Sequence, residues 1–432
     1  MASQNIDCLL EPFKLRNLEL RNRIVMPPMT RCFSPQGIPT QDVVRYYAKR
    51  AAHGVGLIVT EGVAIPFRGC IHDEAVPSMF GAAMPAWKQV VDAVHAEGAA
   101  IMPQLWHVGL NLKPELEGLF DGNSQLRADQ IGPSGLADGI GNPPRPLGQP
   151  MTDRDIAQVI EAFAESAFCA YEAGFDGVQL HGAHGYLIDQ FLWASTNVRK
   201  DQYGGDAANR SRFASDIVRA IRRRTAPDFP IVFRFSQWKL SDYEAELAAT
   251  PAQLEAVLSP LVDAGVDMFD ASQRRYWEPA FEGSHLNLAG WAKKLTGVPS
   301  STVGSVSLDN DAIRTLLGES AQSTGIERLI ERLQSGEFDL AGYRAGRAHR
   351  NAQTLFAAVA TQSGLACLCS EYDQRLLLAG HCASQALSSH VTASSLSNID
   401  AVMLEFAVQR IAAHGQVGCG MAHVPSVAFG GA

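Results

Sequence analysis

Two imidazoles and a phenol fall within six residues, His181, His184 and Tyr186. They end an apolar run, Gly177-Val178-Gln179-Leu180, that is short enough to be a buried strand. Neutral imidazoles donate or accept hydrogen bonds, and a phenol can give its proton to a developing carbanion. The trio therefore suits activation of an electron-poor unsaturated substrate. A single histidine is more often a satisfied core residue than a catalyst, so it is the pair with a tyrosine that points to chemistry. A zinc set including His107 is the alternative, but it needs a carboxylate or third imidazole close by, and no motif supplies one.

The elements around the trio repeat. Residues 22–30 read as a buried strand with a proline-stiffened exit, residues 41–53 have helical spacing, and 57–62 read as a second strand. Helix 85–97 leads into strand 99–106, and helix 153–173, capped by Thr152 or Asp153, leads into the strand before His181. Then come helix 209–224, strand 231–235, helix 251–264, strand 267–271, a loop at 273–285, helix 288–296, strand 301–305, helix 324–335 and an eighth strand starting at 338–340. Strands this apolar, alternating with helices, predict a parallel sheet; eight such units predict a closed α/β (β/α)8 or TIM barrel. Polar or reactive residues sit where the strands end: Thr30, Gly62, Gln104, Trp106, His181, His184, Arg234 and Gly304. In a barrel those ends share one mouth. Arg234 could instead simply pair with a carboxylate, and Gln104 and Thr30 could be polar caps; their joint placement favours a site. Residues 107–150, rich in Gly and Pro, are longer than a connection needs and predict an active-site loop or lid.

The chain has 432 residues, 46% of them hydrophobic and 19% charged, which is enough apolar material for a large core. A net charge of −9 and no polybasic stripe argue against a nucleic-acid partner. The N-terminus lacks the basic-then-apolar pattern of a signal peptide, and no segment approaches ~18 unbroken apolar residues, so a cytoplasmic protein without a membrane partner is expected. The eight cysteines are accordingly taken as free thiols.

Long motifs carry a resemblance. Asn22-Arg23-Ile24-Val25-Met26-Pro27-Pro28-Met29-Thr30, Gln104-Leu105-Trp106, the run from His181 through Gln190-Phe191-Leu192, and Asn197-Val198-Arg199-Lys200-Asp201-Gln202-Tyr203-Gly204-Gly205 with Asn209-Arg210 and Arg212-Phe213 resemble the old yellow enzyme family. These are NADH:flavin oxidoreductases and ene-reductases on a TIM barrel, 12-oxophytodienoate reductases among them, and the resemblance runs from about Leu9 to about Leu340.

The resemblance implies tightly but non-covalently bound FMN, with NAD(P)H as a transient reductant and a small molecule as substrate. Pro28, Met29, Thr30, Gly62, Gln104 and Arg234 resemble residues that hold the isoalloxazine ring. His181 and His184 resemble the pair that grips a substrate carbonyl or nitro oxygen, Tyr186 the proton donor, and Trp106 a pocket wall. Reduced flavin would deliver hydride to an activated C=C bond and Tyr186 would protonate the other carbon. The absence of a Gly-x-Gly-x-x-Gly fingerprint after a strand fits transient nicotinamide use. The FMN phosphate belongs to the loops after strands seven and eight. Gly304 and Ser305 qualify for the first; for the second the family's Gly-Arg pair is matched by Gly346 and Arg347, two residues late, with Arg344 one residue early.

Residues 341–432 do not resemble the family. They contain no lysine and half the cysteines, Cys367, Cys369, Cys382 and Cys419. The expected organisation is thus an FMN-binding barrel over 1–340 and an atypical tail over 341–432, produced by a shifted reading frame near residue 341 or, alternatively, forming a genuine further domain. Two other functions stay open: a flavin-binding barrel with impaired turnover, and a metal-dependent hydrolase using His107, His181 and His184. Monomer and homo-oligomer are both compatible with the sequence.

Overall fold

The computed structural model describes residues 7–111, 129–139, 142–306 and 325–343. The chain divides into two units, Met1–Leu365 and Ala366–Ala432, and all described residues belong to the first.

Eight strands form a closed barrel: β1 (Ile24–Met26), β2 (Leu57–Ala64), β3 (Ala100–Trp106), β4 (Val178–His184), β5 (Ile231–Lys239), β6 (Met268–Ser272), β7 (Ser300–Val303) and β8 (Leu340–Gly342). Every neighbouring pair is parallel, and β8 closes on β1 with Ala341 opposite Ile24 and Gly342 opposite Val25. Among the described residues, seven helices of nine residues or more connect successive strands: α1 (Gln41–Ala52), α2 (Met84–Ala96), α3 (Asp153–Glu172), α4 (Ala207–Arg224), α5 (Pro251–Ala264), α6 (Leu288–Thr296) and α7 (Gly325–Gln334). None of the helices among the described residues is long and apolar enough to cross a membrane.

Caps set the helix starts. Thr152 and Asp155 form a reciprocal capping box at α3, the side chain of Thr250 accepts from Gln253 N at α5, and Asn287 accepts from Gly290 N at α6. Gly265, at φ 113°, ends α5 in a left-handed conformation that costs other residues energy.

Alternation along the strands sorts the side chains into two apolar regions. Val178, Leu180, Ile231, Phe233, Phe235, Phe269 and Ala271 face outward into the layer beneath the helices. Val25, Leu57, Val59, Ala100, Met102, Val232, Met268 and Leu340 face inward and fill the lower half of the barrel. A hairpin of two short strands, Phe13–Leu15 and Leu18–Leu20, adds Leu15, Leu18 and Leu20 to that inner cluster, sealing its lower end. Each such side chain taken from water contributes about 1.5–3 kcal/mol.

Two sequence expectations shift. The long run after β3 is not wholly irregular: Leu136–Gly139 pairs antiparallel with Asn142–Pro146, and Ile131–Gly132 pairs with Gln149–Pro150. Its residues 112–128 lie outside the described residues. The eighth strand also sits slightly later than 338–340, with Leu340 inside the barrel and Tyr343 buried just beyond its end. A strand's ladder uses backbone groups, so a change in composition after residue 340 does not prevent pairing.

Candidate active site

Above the apolar half, the inward positions turn polar. Gln104 on β3 stands opposite Gln179 on β4, His181 opposite Arg234 on β5, and Arg234 opposite Asp270 on β6. Gln104 Nε2 donates to Gln179 Oε1 at 2.7 Å, Gln179 Nε2 donates to Asp270 Oδ2 at 3.1 Å, and Arg234 Nη1 donates to the same oxygen at 3.0 Å. Burial pushes the Asp270 carboxyl up and the Arg234 guanidinium down, each only partly offset by the other's charge. The pairing of Arg234 with a carboxylate is thus real, yet its Nε stays buried with no partner among the described residues.

The aromatic groups gather over this layer. His181 stacks on Trp106 at 6.3 Å, and its ring lies 4.8 Å from Tyr186 and 5.2 Å from His184, both edge-on. Trp106 also meets Tyr186 edge-on at 5.0 Å, and His184 stacks on Trp238 at 4.4 Å. His184 adopts φ 66°, an uncommon conformation for a side-chain-bearing residue. It is held there by its own N–H to Ser236 Oγ (3.0 Å) and by Asn111 Nδ2 donating to its carbonyl (3.1 Å). Tyr186 then starts the short helix Leu187–Leu192.

Burial, reinforced by the charge of Arg234, holds both imidazoles well below the ordinary histidine range, so they are neutral at pH 7. Burial raises the Tyr186 phenol to about 12, so it keeps its proton. The three groups are two neutral N–H donors beside a neutral O–H donor. That combination can bind an electron-rich oxygen and hand over one proton.

The other sequence-derived residues distribute as follows. Pro28 and Met29 are partly buried and Thr30 is exposed on the exit from β1. That exit is fixed by Glu61, whose carboxylate accepts from Arg31 N (2.7 Å) and Cys32 N (3.1 Å). Gly62 lies under Trp106; a Cβ there would stand 2.6 Å from the indole ring. Gly304, at φ 143°, passes so close to Gln273 that a Cβ would stand 1.7 Å from its carbonyl oxygen, and Ser305 Oγ donates to Arg274 O at 2.9 Å. Gly346, Arg347 and Arg344 lie outside the described residues. The loop after β6 is packed: Tyr276 is buried, and Arg332 of α7 donates to the carbonyls of Tyr276, Trp277 and His285.

His107 accepts from Gly109 N through Nδ1 at 3.0 Å, and burial lowers its pKa to about 3. Among the described residues, no three His, Cys, Asp or Glu side chains form a metal set. The zinc alternative thus has no geometric support there.

Sequence reasoning passed over Gln179, Asp270, Ser272, Trp238 and Glu61. Gln179 precedes His181 by two positions, and Asp270 and Ser272 are themselves two apart on one strand, so period-2 alternation was the available signal. Nothing local marked Glu61 or Trp238.

The residues fit a planar, polar-edged cofactor at the mouth. Arg234 Nε, His181 Nδ1 and Trp106 Nε1 are all buried polar atoms with no partner among the described residues, in a place where such atoms are ordinarily satisfied.

Known proteins share this arrangement of elements. An NADH oxidase of Thermoanaerobacter brockii is 35% identical over 308 residues, 67% of this chain and 44% of that protein. 12-Oxophytodienoate reductase 1 of Oryza sativa subsp. japonica is 40% identical over 215 residues, 49% of this chain and 54% of that one. The chain spans about half the length of these curated relatives. Among solved structures, the old yellow enzyme homologue from Zymomonas mobilis superposes with a TM-score of 0.62 at 25% identity, covering 78% of this chain and 88% of the other. The family model described as NADH:flavin oxidoreductase / NADH oxidase matches residues 8–329, and the chain belongs to that family, the old yellow enzyme family its motifs resemble.

Proposed function

We propose that this chain is an FMN-dependent NAD(P)H oxidoreductase that reduces activated C=C bonds of α,β-unsaturated carbonyl or nitro compounds. The observation that carries this is the meeting of a buried His181 with a partly buried His184 and Tyr186, all three neutral, above Arg234 and Gln104.

Pro28, Met29, Thr30, Gly62, Gln104 and Arg234 would hold the flavin ring, with Gly304, Ser305, Gly346 and Arg347 toward its phosphate. FMN, held tightly and without a covalent link, would supply hydride chemistry toward the β-carbon, with NAD(P)H as its reductant. His181 and His184 donate hydrogen bonds to the substrate oxygen, where negative charge accumulates as the bond is reduced. Tyr186 donates its proton to the α-carbon. A phenol near 12 stays protonated at neutral pH, yet it is acidic enough to quench a carbanion. Trp106 walls the pocket and keeps His181 and Tyr186 oriented. The Arg234 charge favours a negatively charged partner beneath the histidines.

The test is the absorbance spectrum of the purified protein with added FMN, followed by anaerobic NADH or NADPH. The expected outcome is a flavin band that bleaches with nucleotide and returns on adding 2-cyclohexenone. A band that bleaches but never returns with the enone or a nitroalkene would indicate a flavin barrel without this turnover. A protein that takes up no FMN would overturn the proposal.

A further inference from the structure

Resting on the proposed function, we infer that Ser272 is a positioning residue that fixes His184 in the Nδ1–H tautomer and thereby decides which ring nitrogen is offered to the substrate oxygen.

Three observations support this. Arg234 Nη2 lies 3.3 Å from Ser272 Oγ, and a guanidinium only donates, so Ser272 is an acceptor there. Ser272 Oγ lies 2.8 Å from His184 Nε2. Ser272 is buried, and among the described residues its hydroxyl has no hydrogen-bonding group in reach other than these two. A hydroxyl carries one proton. If His184 Nε2 also donated, the serine proton would be buried without an acceptor, at a cost of about 1–3 kcal/mol. The serine O–H therefore donates to Nε2, Nε2 is the lone-pair nitrogen, and the imidazole proton sits on Nδ1. The hydrogen bond at one ring nitrogen fixes the state of the other.

Ser272 holds the same ring a second way. Its backbone carbonyl accepts from Trp238 Nε1 at 3.1 Å, and the Trp238 ring stacks on His184. The last residue of β6 thus sets both the plane and the protonation pattern of an imidazole on β4. Through Arg234 and Asp270 the same chain of hydrogen bonds continues to Gln179 and Gln104. The donor directions along it leave His184 Nδ1–H as the free end.

The test uses full-length protein labelled with 15N-histidine and two-bond proton–nitrogen correlation spectra, with His184 assigned by its loss in His184→Asn. Wild type should show His184 as the Nδ1–H tautomer. Ser272→Ala should move it toward Nε2–H or a mixture, and Ser272→Thr, which keeps the hydroxyl, should restore it. In turnover, Ser272→Ala should raise KM for 2-cyclohexenone about tenfold, the value of one neutral hydrogen bond, with flavin reduction by NADPH within twofold of wild type. An Nε2–H tautomer in wild type, or an Ser272→Ala spectrum identical to wild type, overturns the inference. Wild type inert toward enones but showing the serine-dependent Nδ1–H tautomer would overturn the proposed function and support the tautomer assignment.

Discussion

Lys239 Nζ stands 2.8 Å from Asp189 Oδ1, with both side chains fully buried. Asp189 also accepts from the N–H of Gly185 through its other oxygen at 2.6 Å. Gly185, at φ 84°, is the residue between His184 and Tyr186. The ion pair thus ties the end of β5 to the turn that carries the proposed chemistry. Removing one partner of a buried pair leaves the other charge in a low-dielectric site. Lys239→Met should cost about 3–5 kcal/mol in urea denaturation. The double variant Lys239→Met/Asp189→Leu should recover most of that, and a double-variant loss equal to the sum of the two single-variant losses would show that the pair is not coupled.

Tyr186→Phe removes the proton donor and leaves the ring contacts with Trp106 and His181 in place. Stopped-flow oxidation of the reduced protein by 2-cyclohexenone should slow by about a hundred- to ten-thousandfold, while reduction by nicotinamide stays near the wild-type rate. Because the phenol lies near 12, the wild-type oxidation rate should not fall through tyrosine ionisation between pH 7 and 9.

Stability should fall on acidification. Burial lowers the pKa of His107, His181 and His184 in the folded protein, that of His107 to about 3. An unfolded histidine titrates near 6.5 and binds more protons below that value. Each buried ring therefore stabilises the fold above about pH 6.5, and that stability is lost as pH drops, by up to about 1.4 kcal/mol per pH unit. His95 works the other way, because its hydrogen bond to Asp176 raises its pKa. Urea midpoints compared at pH 7.5 and 5.5 should shift less in His107→Gln than in wild type, and equal shifts would exclude His107 as a contributor.

Gly304→Ala should be costly out of proportion to one methyl group. The new Cβ would meet the Gln273 carbonyl at 1.7 Å from a backbone at φ 143°. Either the loop after β7 or the one after β6 must move, at about 1–3 kcal/mol. A lowered melting temperature with weakened FMN retention is the expected pair of results. An unchanged melting temperature would contradict the packing of these loops.

Arg347→Ala should weaken FMN retention about tenfold and Arg344→Ala less, measured by fluorescence titration of free flavin. The reverse order would assign the phosphate to Arg344.

The barrel was legible because apolar strand runs alternate with helical spacing along the chain, and Thr152 marks the start of α3 to the residue. His181, His184 and Tyr186 were legible as chemistry because ionisable groups rarely cluster at the end of an apolar strand. Their support was not. Asp270 and Ser272 read as ordinary strand residues until the register sets them beside Arg234 and His184, and that register comes from closure of the whole barrel. Glu61 reads as one more residue of β2, and its bonds to Arg31 and Cys32 join segments thirty residues apart.

The hairpin beneath the barrel gives the interior the plan of a well. Leu15, Leu18 and Leu20 stopper one end, and the polar groups line the other. Under the proposed function, reductant and substrate would then take turns over the bound flavin at the open end, and a molecule resting there would bar the next. An excess of either reactant should therefore slow the cycle it feeds.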